Sequence, residues 1–314
     1  MNKKHYLIFA IASIGIAALL LTSYMPASTE STSCEVSNSR GPIPMTFHIN
    51  ADNPLDEMKM NSIPCYEIVP MKFDEIHFKQ VGKSLGLNGD IEQILENNIL
   101  DTYVIKSGGK ELEYYPQTGV WIFSSDEAFP IVTNQPDLPS DEDAVKKAIA
   151  YLKENGLWSD DFTYSHITYD YQRKLDKITD EIFEEFIITK KVCFNREIDG
   201  IELAGVGSKC RVTLGEGSEV VAFIQPQQKY QEIKGDFELI QPEKALENFK
   251  FGRGIQSVPR TNLVNETVNI EDISLCYFID TLINEPGMVR PGFIFRGTFV
   301  QGNEFKVFTD AIEI

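Results

Sequence analysis

Hydrophobic residues recur along this chain with two different spacings, and the spacing changes from one stretch to the next. Between 182 and 195 they fall mainly on alternate positions, which is typical of a strand with one buried face. Lys190 interrupts this alternation, because its parity puts it on the apolar face. After Ser140, helical spacing applies instead to Ala144, Val145, Ala148, Ile149 and Leu152. Ser140 can cap this helix and Gly156 can end it, so we predict about four helical turns.

The same order of elements is predicted three times. The first pass contains a strand, two helices and three strands, at 66–71, 73–85, 90–99, 102–106, 111–115 and 120–124. The second contains the helix after Ser140 and three strands, at 182–195, 209–214 and 219–224. The third contains a helix that begins at Pro242 and three strands, at 273–279, 292–300 and 304–314. We therefore predict an α+β fold of repeated units, in which each helix covers a three-stranded antiparallel meander.

The first 60 residues differ from the rest of the chain. Residues 1–25 carry Lys3 and Lys4 ahead of a long apolar run, which predicts a signal anchor or a signal peptide. We favour an uncleaved anchor, because the run approaches the roughly 20 residues that cross a bilayer. Residues 26–60 are rich in Ser, Thr, Asn, Pro and Asp and are predicted to be a flexible linker. The protein is then a single-pass membrane protein with its bulk outside, or a secreted one if the signal is cleaved.

Three folded segments are predicted after the linker. They are an N-terminal α+β domain at 61–135, a second α+β unit at 136–236 and a third at 237–314. The alternative is two domains preceded by an irregular part.

The chain is strongly acidic, with a formal net charge of −18 at pH 7. Such a surface repels nucleic acid and anionic lipid headgroups. Solubility alone explains the charge, and a basic partner would also suit it. We therefore expect no nucleic-acid partner, membrane contact through the N-terminal helix only, and a protein or peptide partner.

The five cysteines lie in a chain that we expect to be exported, where disulfides persist. No two of them have the Cys-x-x-Cys spacing of a zinc ribbon or a thioredoxin-type site. Cys193 and Cys210 fall on neighbouring predicted strands and form the candidate disulfide. The alternative is that they are buried apolar thiols.

The sequence offers no arrangement of residues that points to a reaction. No two of the four histidines are three or four positions apart, which argues against a helical zinc-protease motif. The glycine-rich loops at 205–208 and 215–218 lead into strands and lack the helix that a phosphate cradle needs. Asp199 and Gly200 predict a hairpin turn. We predict no catalytic, metal or cofactor-binding residue, and one candidate glycosylation site at Asn265.

Four stretches carry a family resemblance, between about 139 and 314. They are "DEDAVKKAIAYLKENGL", "FNREIDGIELAGVGSKCRVTLGEGSEVVAF", "IQPEKALENF" and "VRPGFIFRGTFVQGNEFKVFTDAIEI". Together they resemble the PepSY-like extracytoplasmic regulatory proteins, and most of all the YycI/YycH type. The shared features are an Ile-Asp-Gly turn, glycines and a late Pro-x-Phe-x-Phe-x-Gly strand. The resemblance implies a membrane-anchored protein that associates with sensor kinases.

These observations favour a non-enzymatic function. We expect a membrane-tethered extracytoplasmic protein that regulates surface signalling or processing through protein contacts. The alternatives are an exported enzyme or protease inhibitor that acts on cell-surface proteins, and a structural component of the envelope.

Overall fold

The computed structural model describes residues 45–49, 61–96, 100–176, 179, 181–251, 255–256, 265–279 and 287–313. The predicted anchor at 1–25 and all of the predicted linker except 45–49 lie outside these ranges. Within them, the longest apolar helix is too short to span a bilayer.

Three helices are found in the described part of the chain. They are α1 at Glu75–Ser84, α2 at Asp141–Glu154 and α3 at Pro242–Lys250. The predicted helix after Ser140 and the one that begins at Pro242 are confirmed. The predicted helix at 90–99 is wrong, because a strand occupies most of the described part of that stretch.

Strands account for most of the described residues. The first eight are β1 Thr46–Ile49, β2 Ser62–Val69, β3 Glu92–Glu96, β4 Leu100–Ser107, β5 Lys110–Tyr115, β6 Val120–Ser125, β7 Phe162–Leu175 and β8 Ile182–Ile198. The next eight are β9 Ile201–Ala204, β10 Cys210–Leu214, β11 Val220–Pro226, β12 Lys229–Glu238, β13 Ile255–Gln256, β14 Thr267–Phe278, β15 Met288–Phe299 and β16 Glu304–Asp310.

The strands form one mixed sheet. Its order is β12-β2-β15-β14-β9-β8-β10-β11-β6-β5-β4-β3, and β7, β16, β13 and β1 branch from this path. Most pairs are antiparallel, but β14 pairs in parallel with both β1 and β9. The predicted α+β fold of helix-plus-three-stranded-meander units is therefore wrong. Alternation identifies a strand but not its partner, and here β6 pairs with β11 while β2 lies between β12 and β15.

Strands from all three predicted segments join this sheet. The segment boundaries at 135/136 and 236/237 stay predictions.

Helix α2 is held at its N-terminus by the residues that the sequence indicates. Ser140 Oγ accepts a hydrogen bond from the Asp143 amide at 3.1 Å. Lys190, which interrupts the apolar alternation of β8, reaches this helix end: its Nζ lies 2.5 Å from Asp141 Oδ1 and 5.6 Å from the centre of the Tyr169 ring. Hydrogen bonds from Lys190 and Tyr169 lower the pKa of Asp141. A lysine on the apolar face is thus explained by an ion pair at the helix start.

The C-terminal end of α2 is held by three side chains from other elements. His77 Nε2 lies 2.9 Å from the carbonyl oxygen of Asn155, Gln227 Nε2 donates to Gly156 at 3.0 Å and Gln225 Nε2 donates to Leu157 at 2.7 Å. These carbonyls belong to the three residues that follow α2, and the contacts fix the end of the helix to α1 and β11.

Strand β15 contains the late Pro-x-Phe-x-Phe-x-Gly motif. Phe293 and Phe295 enter the same core as α3. The two glycines of the strand allow neighbours to come close: a methyl group on Gly292 would lie 1.9 Å from a ring carbon of Phe308. On Gly297 it would lie 2.0 Å from the Asn269 carbonyl oxygen. The glycines of the motif therefore allow β15 to pack closely against β14 and against the Phe308 ring of β16.

Candidate functional site

The glycine-rich stretch around Asp199 is scaffold in the structure. Asp199 and Gly200 have φ of 52° and 78° and connect β8 to β9, with Ile198 opposite Ile201. Two positive φ values at the centre of a two-residue loop are typical of a type I′ hairpin. Asp199 also has a tertiary contact, because it accepts a hydrogen bond from Tyr66 Oη at 2.7 Å.

Burial and the hydrogen bond to Asp199 raise the pKa of Tyr66 to about 12. The folded pKa lies above the value of about 10 for an unfolded tyrosine. The stabilisation from the protonated phenol is therefore fully present below pH of about 10 and is lost as the pH rises through about 12. We expect the difference in unfolding free energy between wild type and Tyr66→Phe, measured in urea, to shrink over this range. A difference that stays constant with pH would contradict this assignment.

Cys193 and Cys210 lie on the adjacent strands β8 and β10, and both are free thiols. Cys193 is opposite Arg211, and Cys210 is opposite Phe194. Neighbouring positions on a strand point to opposite faces of the sheet, so the two side chains diverge. Cys210 lies in the core beside Phe194, where burial raises the pKa of its thiol. The two residues are neighbours in the sheet without being bonded.

Asn265 is exposed and has a φ of 63°. It lies in a turn, and Thr267 of its sequon begins β14. The structure therefore leaves its side chain accessible, while glycosylation stays a prediction.

Two buried ionic groups were not found from the sequence. Lys191 Nζ lies 2.6 Å from Asp170 Oδ1, and the side chains are 8% and 6% exposed. Thr189 Oγ1 donates to the other oxygen of Asp170 at 2.7 Å. These residues are adjacent across the β7/β8 pair, so their burial depends on strand partners that the sequence does not show.

Arg196 forms the second buried group. Its Nε donates to Asp161 Oδ2 at 2.8 Å and its Nη1 donates to Gln228 Oε1 at 2.7 Å. The guanidinium carbon lies 5.5 Å from the centre of the Phe162 ring and 5.4 Å from that of Tyr230. Because Tyr230 belongs to β12, this group fixes the start of that strand.

The candidate binding surface is a groove beside β12, with a volume of about 420 Å3. We call it the edge groove. It is formed where β2 ends, β15 begins and β12 runs along the border of the sheet. The side chains that line it are Glu67, Val69, Pro70, Gln231, Ile233 and Met288. Ile68 and Gly287 complete the lining, and Glu67 is the single ionisable residue of the set.

Strand register places these side chains on one face. Gln231 and Met288 both pair with Glu67, one from each side, while Val69 and Ile233 lie two positions further along their strands. Side chains two positions apart share a face. The groove thus has an apolar floor of Val69, Ile233 and Met288 with one exposed carboxylate at Glu67.

The outer edge of β12 is open in the described part of the chain, where β2 is its one strand partner. Ile68 donates its amide to Gly287 at 3.4 Å, so its backbone points away from β12. Tyr230 lies opposite Ile68, and in such a pair both backbones point outward. Tyr230 and, two positions on, Glu232 therefore present amide and carbonyl groups to the open edge.

Strand β7 is a second long open edge, since β8 is its single partner among the strands that the structure describes. Its register with β8 shifts at three places. Bulges of this kind protect an edge from pairing with another chain. The β12 ladder is regular from Lys229 to Ile233, and the edge groove borders it. The β12 edge is therefore the better candidate for strand addition.

The described residues contain no cluster of three or more His, Cys, Asp or Glu side chains that fits a metal ion.

Two solved structures are similar to this chain. No family model matches the chain, and no curated protein does. An uncharacterised protein from Eubacterium rectale superposes with a TM-score of 0.46 at 11% identity, over 85% of this chain and 89% of that one. The YpeB C-terminal domain of Bacillus megaterium superposes with a TM-score of 0.39 at 16% identity, over 77% and 94%.

Proposed function

We propose that this protein is a membrane-tethered extracytoplasmic regulator that binds an extended segment of a partner protein at the β12 edge. The observation that carries the proposal is an open, regular edge strand next to a groove with an apolar floor. Strand addition uses main-chain hydrogen bonds for affinity and adjacent pockets for specificity. The N-terminal apolar run and the resemblance to YycI/YycH-type proteins support the membrane location and the regulatory role.

Backbone geometry makes the proposal testable at a single amide. Glu232→Pro removes an outward amide of β12 and leaves the inward ladder to β2 intact, because a proline on an edge strand is tolerated there. Glu232→Ala removes the same side chain but keeps the amide. We expect the proline variant to bind the partner at least about tenfold more weakly than the alanine variant, since it loses a hydrogen bond and blocks approach.

The measurement is cross-linking in intact cells. A photoreactive amino acid replaces Lys229, which is exposed at the start of β12, in the full chain carrying either substitution. A discrete adduct to a membrane protein with Glu232→Ala, strongly reduced with Glu232→Pro, supports the proposal. Equal adducts from both variants, at equal thermal stability, would refute strand addition at this edge.

Topology is tested separately. Protease added to intact cells should digest the part after residue 25, because the proposal places it outside the membrane. Full protection of that part would rule out the exterior location.

A further inference from the structure

We propose that the edge groove receives a lysine or arginine side chain from the strand that binds at β12, with its cationic end at Glu67. This inference rests on the proposed function and adds the chemistry of the partner. The groove places one carboxylate beside apolar side chains.

The first requirement is that the side chain is long enough to reach Glu67 from the added strand. A strand added to β12 lies two strand spacings from β2, roughly 10 Å. A side chain of the added strand on the groove face must therefore cross Gln231 or Ile233 to approach Glu67. Lysine and arginine have long aliphatic stems that cover apolar surface while the charged end stays in polar contact. Valine and threonine side chains are too short to cross this distance.

Charge is the second requirement. Among the described residues that line it, the groove has one carboxylate and no cation, and the whole chain carries a net charge of −18. An acidic side chain in the groove would meet like charge at Glu67, and a neutral one would leave the carboxylate without a partner. A cation on an aliphatic stem fits both the carboxylate and the floor formed by Val69, Ile233 and Met288. Hydrogen bonds between charged groups are stronger than neutral ones, which gives the site specificity.

The chain provides a matched control for this charge. Glu232 lies next to Gln231 on β12, and adjacent positions point to opposite faces. Glu67→Gln and Glu232→Gln therefore make the same change in net charge near the same edge, but only the first alters the groove.

The experiment uses the purified full chain in detergent and blocked nine-residue peptides of alternating threonine and valine. The central residue is lysine, norleucine or glutamate, and binding is measured by fluorescence anisotropy. We expect the lysine peptide to bind about tenfold more tightly than the norleucine peptide, with the glutamate peptide weakest. Glu67→Gln should abolish the preference for lysine, and Glu232→Gln should keep it.

The outcomes separate this inference from the proposed function. If all three peptides bind equally to wild type, and Glu232→Pro weakens all three, the edge binds strands but the cation site is overturned. If the lysine preference survives in Glu67→Gln, the cation site is also overturned. If no peptide binds, or if Glu232→Pro leaves binding unchanged, both proposals fall.

Discussion

Replacing Lys191 with methionine is expected to lower the free energy of unfolding by about 3–5 kcal/mol. The change leaves the Asp170 carboxylate, with a side chain 6% exposed, without its cation. An uncompensated charge in the interior is far more costly than the loss of a pair at the surface. Equilibrium unfolding in urea measures the change directly.

Two comparisons show whether the unpaired charge is the cause. The double variant Lys191→Met with Asp170→Leu should recover most of the loss, because no charge stays buried. Lys79→Met makes the same substitution in an exposed pair with Glu75 on α1, and should cost less than about 1 kcal/mol. A double variant as unstable as the single one would show that packing, and not charge, dominates at Lys191.

Gly292→Ala is expected to cost about 3 kcal/mol or more, which is at the upper end of overpacking effects. The added methyl would lie 1.9 Å from a Phe308 ring carbon and 2.6 Å from the Thr309 carbonyl oxygen. The ring cannot simply move away, because it stacks on Phe278 with centroids 4.0 Å apart. The strand must shift instead, and thermal or urea unfolding of the variant measures the cost.

A second glycine, at a position without close neighbours, serves as a control for the steric clash. Gly217 has a φ of 64° and open space where a methyl would be placed. Gly217→Ala therefore carries backbone strain of about 1 kcal/mol without a clash. We expect Gly292→Ala to be clearly the more destabilising of the two. Similar losses for both would mean that β15 adapts to the methyl.

In two regions, local patterns in the sequence predicted local structure correctly. The strands β4, β5 and β6 follow one another as a meander at the expected positions. The cap at Ser140 is also as expected. In these cases the interacting residues are close in sequence, so turn and capping chemistry determine the outcome.

The candidate site could not be predicted in this way. The apolar residues of β12 are Tyr230, Ile233 and Phe237, whose spacing of three and four is typical of a helix. On the strand, the odd spacing puts Tyr230 and Ile233 on opposite faces, and the register with β2 shifts between Ile233 and Phe237, where Gly235 has a φ of 136°. The groove further requires β2 and β15 to meet, and no pattern in either strand identifies the other.

The position of β2 between β12 and β15 also bears on how the chain folds during its synthesis. Glu67 pairs with both Gln231 and Met288, and more than half of the sequence separates it from Met288. Sheets built from such distant pairs fold slowly, because the chain must close long loops before any contact forms. Strands β1 and β2, which are made before the other described strands, therefore stay without their partners until strands in the last third of the chain have been made. A chaperone that holds the nascent chain would act during this interval, and the proposed binding edge is complete only once β15 has been made.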